Sequence, residues 1–174
     1  MQNDIVSAQF WDTWNFFHRQ PDQLTEVSKD QQREIIRWCR DLGLQDAKIL
    51  EVGCGTGWLC QSLLEFGHVE ATDLSPDCIR QAQHRLPQVH FVAGDFSSLE
   101  FPAAPYDIVC TLEVLAHVED QNAFIGKIAR LLKPGGTLML ATQNRRMLER
   151  WAKVAPPPLG SCEDGSTSVN CWTL

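Results

Sequence analysis

The residues best suited to chemistry fall in Ile49-Leu50-Glu51-Val52-Gly53-Cys54-Gly55-Thr56-Gly57, an apolar strand that runs into a loop with glycine at every second position. Glycine lets the backbone come close to a ligand. A helix starting just beyond the loop would offer unbonded N–H groups that favour an anionic group such as a carboxylate. Alone, such spacing marks many strand-to-helix turns. Asp73 adds a second condition: it ends the next apolar run, Ala71-Thr72-Asp73-Leu74-Ser75, roughly 20 residues further on, where an acidic side chain takes both hydroxyls of a ribose. Loop and acid together point to an adenosine site. A nicotinamide dinucleotide site shares both features but asks for G-x-G-x-x-G, whereas here the glycines run G-x-G-x-G and are followed by Trp58 and Leu59. The oxidoreductase reading is the weaker one.

Four more segments follow in order: Gly94-Asp95-Phe96, Tyr106-Asp107-Ile108-Val109-Cys110, Thr111-Leu112-Glu113-Val114-Leu115-Ala116-His117-Val118, and Leu131-Leu132-Lys133-Pro134-Gly135-Gly136-Thr137-Leu138. With the glycine loop and Asp73, this series resembles the motifs of class I S-adenosylmethionine-dependent methyltransferases over the first 144 or so residues. The resemblance implies that the glycine loop lies against the methionine part of the cofactor. Glu51, two residues before the first glycine, would order the loop and help hold the methionine amino group. Asp73 would hold the ribose, the Asp95 carboxylate would meet the exocyclic amine of adenine, and Phe96 would supply a backbone N–H. The implied set that binds S-adenosyl-L-methionine is Glu51, Gly53, Cys54, Gly55, Thr56, Gly57, Asp73, Leu74, Asp95, Phe96, Leu112 and Glu113. Asp107 is taken as structural, and Lys133 to Gly136 as a helix stop.

Similar small-molecule methyltransferases carry a histidine where His117 stands, in a loop that overlooks the sulfonium methyl group. A neutral imidazole there would draw a proton from a substrate hydroxyl or amine as general base. A histidine that caps a helix or packs beside the cofactor fits the same position, and Asp95 also reads as a turn aspartate. His18, His68, His84 and His90 have no such context and read as surface residues. Neither metal-ligand spacing nor a Ser/His/Asp arrangement occurs, so no metal is expected. Placement of an aligned nucleophile would do most of the work, because the sulfonium already makes the methyl group electrophilic. The resemblance thus implies methyl transfer to an unidentified small-molecule acceptor. A catalytically silent module that only binds the cofactor is the alternative.

The elements that position these residues alternate. Apolar runs at Ala47 to Val52, Val69 to Asp73, Val89 to Ala93, Ile108 to Leu112 and Thr137 to Thr142 predict strands. Helical patterns fall at Leu24 to Leu42, Trp58 to Phe66, Pro76 to Arg85 and Gln121 to Leu132. Ser75 before Pro76 is a helix start. The fold class expected is α/β, a Rossmann-like doubly wound, mainly parallel sheet of about five strands with helices on both faces and the site beyond the strands' carboxyl ends. Residues 1–44 are expected to form a helical lid, 45–144 the cofactor-binding core, and 145–174 a short helix (Met147 to Trp151) and an irregular tail. Phe10, Trp11, Trp14 and Phe17 suit either a lid over the cofactor or plain core packing.

With 174 residues, 44% of them hydrophobic, one domain can bury a sufficient core. A formal charge of −7 leaves no broad basic face, which argues against nucleic acid or an anionic membrane as partner. Seven cysteines without a CxxC pair read as free thiols, and with no signal-peptide pattern at Met1 to Phe10 a cytoplasmic protein is expected. The family's sixth strand and antiparallel seventh are expected to be missing after Thr142. The residues from Gly160 to Leu174 lack an apolar period, and a shifted reading frame through them yields an amphipathic helix under one permitted choice of codons.

Overall fold

The computed structural model describes residues 24–143 and 167–173. The aromatic segment Phe10 to Phe17 and the helix expected at Met147 to Trp151 lie outside them. Five parallel strands form the sheet: β1 (Ala47–Val52), β2 (Gly67–Asp73), β3 (His90–Ala93), β4 (Tyr106–Leu112) and β5 (Leu132–Gln143). A further strand, β6 (Thr167–Thr173), pairs antiparallel with β5, and the spatial order is β3-β2-β1-β4-β5-β6. The helices are α1 (Glu26–Asp41), α2 (Cys60–Leu63), α3 (Pro76–Arg85) and α4 (Gln121–Leu131).

Both faces of the sheet are covered, which is why β1 and β4 read as nearly unbroken apolar runs rather than alternating ones. On one face Ile35 and Cys39 of α1, Leu63 of α2 and Ile79 and Ala82 of α3 pack on Ile49, Ala71, Cys110 and Met139. On the other, Phe124 and Ile128 of α4 join Phe96 and Phe101 against Leu50, Val52, Val109 and Leu138. Caps set the helix starts. Ser75 Oγ accepts the Cys78 amide at 2.9 Å with Pro76 in the first turn, Thr25 Oγ1 accepts Ser28 N at 3.1 Å, and Asp120 Oδ1 accepts Ala123 N at 2.9 Å. From β3, at one edge, the chain recrosses to β4 beside β1. The strand order thus reverses between β1 and β4, and doubly wound sheets place ligands beyond the strands' carboxyl ends at such a reversal.

The doubly wound sheet with helices on both faces is as expected, with three departures. The helix predicted over Trp58 to Phe66 shrinks to Cys60–Leu63, because the chain stays in turns through Leu59 while Trp58 and Leu59 enter the core. α4 stops at Leu131 as the Lys133 to Gly136 stop implies, yet β5 begins at once. Leu132 pairs with Tyr106, and the register then shifts so that Thr137 faces Ile108, with Gly135 at φ 77° inside the irregularity. The expected irregular tail is also corrected: residues 167–173 form β6, whose main chain pairs with β5 from Thr137 to Gln143.

Candidate functional site

The glycine loop turns directly off the end of β1. Gly53, Gly55 and Gly57 have φ of 78°, 53° and 73°, values that side-chain-bearing residues rarely adopt. At Gly53 there is a second reason for glycine: a Cβ would stand 2.1 Å from Val114 Cγ2, so the loop after β4 rests directly on it. The loop's amides are largely spent within the protein. Gly53 N and Cys54 N donate to Thr72 O at 2.8 and 3.0 Å, Gly57 N donates to Cys54 O at 2.9 Å, and Gly55 N donates to Asp73 Oδ2 at 2.7 Å. Four of the loop's amides are thus engaged within the protein, and the helix that follows, α2, is only four residues long.

Asp73 ends β2 beside the loop and ties two strand ends together. Its Oδ2 accepts Gly55 N, and its Oδ1 accepts Ser75 N at 2.9 Å. Charged acceptors of backbone N–H groups make strong hydrogen bonds, so Asp73 fixes the shape of the loop whatever else it binds. Glu51 lies beneath, 2% exposed, and accepts a hydrogen bond from Cys60 Sγ at 2.9 Å. Burial pushes the Cys54 thiol up to about 11, and contact with Cys54 followed by burial raises Cys60 as well, so both stay protonated. Cys39, Cys54, Cys60, Cys78 and Cys110 are buried thiols outside any disulfide.

Beyond β3, Asp95 is exposed and its carboxylate accepts both the amide and the hydroxyl of Ser97, the amide at 2.9 Å, as a turn aspartate does. Phe96 turns its ring into the core against Phe101 and Phe124. Beyond β4, Glu113 has φ 62°, a left-handed conformation that costs an L-residue roughly 1–2 kcal/mol. Its amide is held by Ala141 O at 2.8 Å and its Oε1 accepts Gln31 Nε2 at 2.8 Å. A 3₁₀ turn, Leu115–His117, follows, placing His117 half-buried next to this strained corner. Desolvation lowers the His117 pKa below its ordinary 6.5 and keeps the ring neutral near pH 7.

The predicted site residues thus gather at one end of the sheet, on the loops after β1, β2, β3 and β4. They differ in what they expose. The side chains of Cys54, Thr56, Phe96 and Leu112 are buried, so those positions offer main chain, and the Thr56 carbonyl also accepts Arg85 Nη2 at 2.5 Å. Leu74 is half-buried. Asp107 behaves as the structural residue expected: it accepts Lys48 N at 2.8 Å and Lys133 Nζ at 2.7 Å at the opposite end of β4. Gln31 was not predicted. It is a buried amide on α1 whose Nε2 reaches Glu113 while its Oε1 lacks a hydrogen-bond partner. No group of acidic, histidine or cysteine side chains among the described residues has the arrangement of a metal site, and no helix there is long and apolar enough to cross a membrane.

A family profile described as a methyltransferase domain matches residues 22–161, most of the chain and every strand that carries the site. The chain belongs to the methyltransferase-domain family. Among curated relatives, the ubiquinone biosynthesis O-methyltransferase of Xanthomonas oryzae pv. oryzae is 43% identical over 110 residues, covering 60% of this chain and 46% of that protein. The chain thus spans about half the length of the curated relatives it matches. Of solved structures, an amino pentose methyltransferase from Micromonospora echinaspora, determined with S-adenosylmethionine bound, is 29% identical, with a TM-score of 0.57 over 64% of this chain and 49% of that one. An N-methyltransferase from Bradyrhizobium japonicum superposes with a TM-score of 0.65 at 22% identity, over 74% and 68%, and shares the fold.

Proposed function

We propose that the chain binds S-adenosylmethionine at the carboxyl ends of β1 to β4 and transfers its methyl group to a hydroxyl of a small organic acceptor. One observation carries this reading. Four successive strand ends each bring a carboxylate, Glu51, Asp73, Asp95 and Glu113, and the buried Gln31 carbonyl adds another acceptor beside Glu113. Such a site suits a ligand rich in hydrogen-bond donors and positive charge: ribose hydroxyls, an exocyclic amine, an ammonium and a sulfonium. A dinucleotide's pyrophosphate would meet like charge and amides already engaged within the loop.

When bound, S-adenosylmethionine supplies a methyl group that its sulfonium makes electrophilic. The protein's part is to position and to move one proton. Asp73 would hold the ribose while keeping the loop shaped, Asp95 the adenine amine, and Glu51 the order of the methionine end. Leu112 and Glu113 would face the reacting centre from β4. His117 Nε2 or Nδ1, neutral because burial disfavours its charge, would accept the acceptor's hydroxyl proton as the oxygen attacks. The hydroxyl specificity rests on the O-methyltransferases among the relatives.

Labelled methyl transfer to a panel of small hydroxyl and amine acceptors tests this. Product should form on hydroxyls, and His117→Asn should lower kcat by about 10²- to 10³-fold with cofactor affinity unchanged. Turnover on hydroxyls that survives His117→Asn intact would remove the base, and turnover on amines alone would remove the hydroxyl assignment.

A further inference from the structure

The loop after β3 is held by a side chain that none of the motifs contains. After Asp95 the chain makes a helical turn, with Ser98 N and Leu99 N donating to Asp95 O at 3.0 and 3.1 Å. A turn this short leaves its following carbonyls without partners of its own, as the last turn of any helix does. Lys127, on α4, takes them. Its Nζ donates to Phe96 O at 2.6 Å, Ser97 O at 3.0 Å and Leu99 O at 2.5 Å, a carbonyl for each of its three protons. The same ammonium stands 5.0 Å from the Phe96 ring centroid and 5.4 Å from that of Phe101, within cation–π range. Burial lowers its pKa, while the nearby Asp95 carboxylate works the other way.

We infer that Lys127 is a positioning residue for recognition of the adenine base. It clamps the loop from Phe96 to Leu99 so that the Asp95 carboxylate and the Phe96 amide keep the spacing that an exocyclic amine and the adjacent ring nitrogen require. Asp95 is exposed and bonded to Ser97 on its own loop, so its place depends on the loop's backbone. That backbone is fixed from outside by three charge-assisted hydrogen bonds, stronger than neutral ones. Lys127 acts through the loop and touches no ligand. The inference rests on the assignment of Asp95 and Phe96 to adenine given above.

The test compares binding of S-adenosylhomocysteine with S-inosylhomocysteine, in which a carbonyl replaces the exocyclic amine. Calorimetry would use the full chain and its Lys127→Met and Lys127→Gln variants, with circular dichroism to verify folding. The wild type should prefer the adenosyl ligand by about tenfold or more, and Lys127→Met should erase most of that preference while changing affinity for the inosyl ligand little. Lys127→Gln, whose amide serves at most two carbonyls, should fall between and supplies the answer if the methionine variant does not fold. A preference kept in folded variants, or affinity lost equally for both ligands, overturns the role of Lys127 and leaves Asp95 in place. A wild type that binds both ligands equally overturns the adenine assignment itself, and the role of Lys127 with it.

Discussion

At the scale of the residue, the site is a set of backbone constraints as much as side-chain contacts. Gly53 shows this, since both its left-handed φ and the Val114 methyl 2.1 Å from a would-be Cβ disfavour any larger residue. Gly53→Ala should lower stability by about 1–3 kcal/mol through strain and overpacking. Adding Val114→Ala should recover the overpacking share alone, as chemical denaturation of the single and double variants would show. His117 gives a prediction in pH. Its folded pKa lies below its ordinary value, so the unfolded chain takes up the proton first as pH falls through about 6.5. Stability contributed by the neutral ring is therefore present above that pH and declines below it. The acid limb of kcat/KM should likewise fall below pH 6.5, whereas a limb above 6.5 would exclude His117 as the base.

The glycines and Asp73 were legible in the sequence because each answers a local demand, a positive φ or a strand-end acceptor. Gln31 and Lys127 were not. A glutamine or lysine within a helix ordinarily reads as a solvent-facing residue, and only the packing of α1 and α4 on the sheet reveals the partners that hold them. Asp95 read two ways, as turn aspartate and as adenine ligand. The structure shows the first, and the second remains as the proposal.

At the scale of the element, fully buried strands announced themselves as apolar runs, and β1 and α3 begin and end where the pattern says. Elements shaped by tertiary pairing were harder to read. Helix α1 lies within the Leu24 to Leu42 pattern, but it buries Ser28 and Gln31 beside Ile35 and Cys39 and leaves Val27 exposed, so its inward stripe is half polar. Strand β6 depends on pairing with a partner over twenty residues earlier, which no local period records. The middle of the sheet carries its own polar contact: Tyr106 OH, at the start of β4, donates to the Glu70 carboxylate on β2, which His90 Nδ1 meets at 3.1 Å. Burial, with Glu70 beside it, holds the Tyr106 phenol protonated far above its ordinary range. Tyr106→Phe should therefore cost about 1–3 kcal/mol by stripping a buried acceptor of a donor, and adding Glu70→Leu should restore much of it. Thermal unfolding of both variants decides; a single variant as stable as the wild type would mean the bond contributes nothing.

At the scale of the whole molecule, the order β3-β2-β1-β4-β5 explains why residues as distant as Glu51 and Glu113 lie at one end of the sheet: β1 and β4 are neighbours, and the order reverses between them. The acidic balance of the chain, −7 overall, agrees with a site made for a cationic cofactor. We propose that the loops beyond these strand ends bind S-adenosylmethionine. Calorimetric titration of the full chain with S-adenosylmethionine and S-adenosylhomocysteine, beside Asp73→Ala and Asp73→Asn, tests it most directly. Micromolar binding that both substitutions weaken by about tenfold or more is the predicted result, whereas no heat from folded wild-type protein, or affinity indifferent to Asp73, would contradict it.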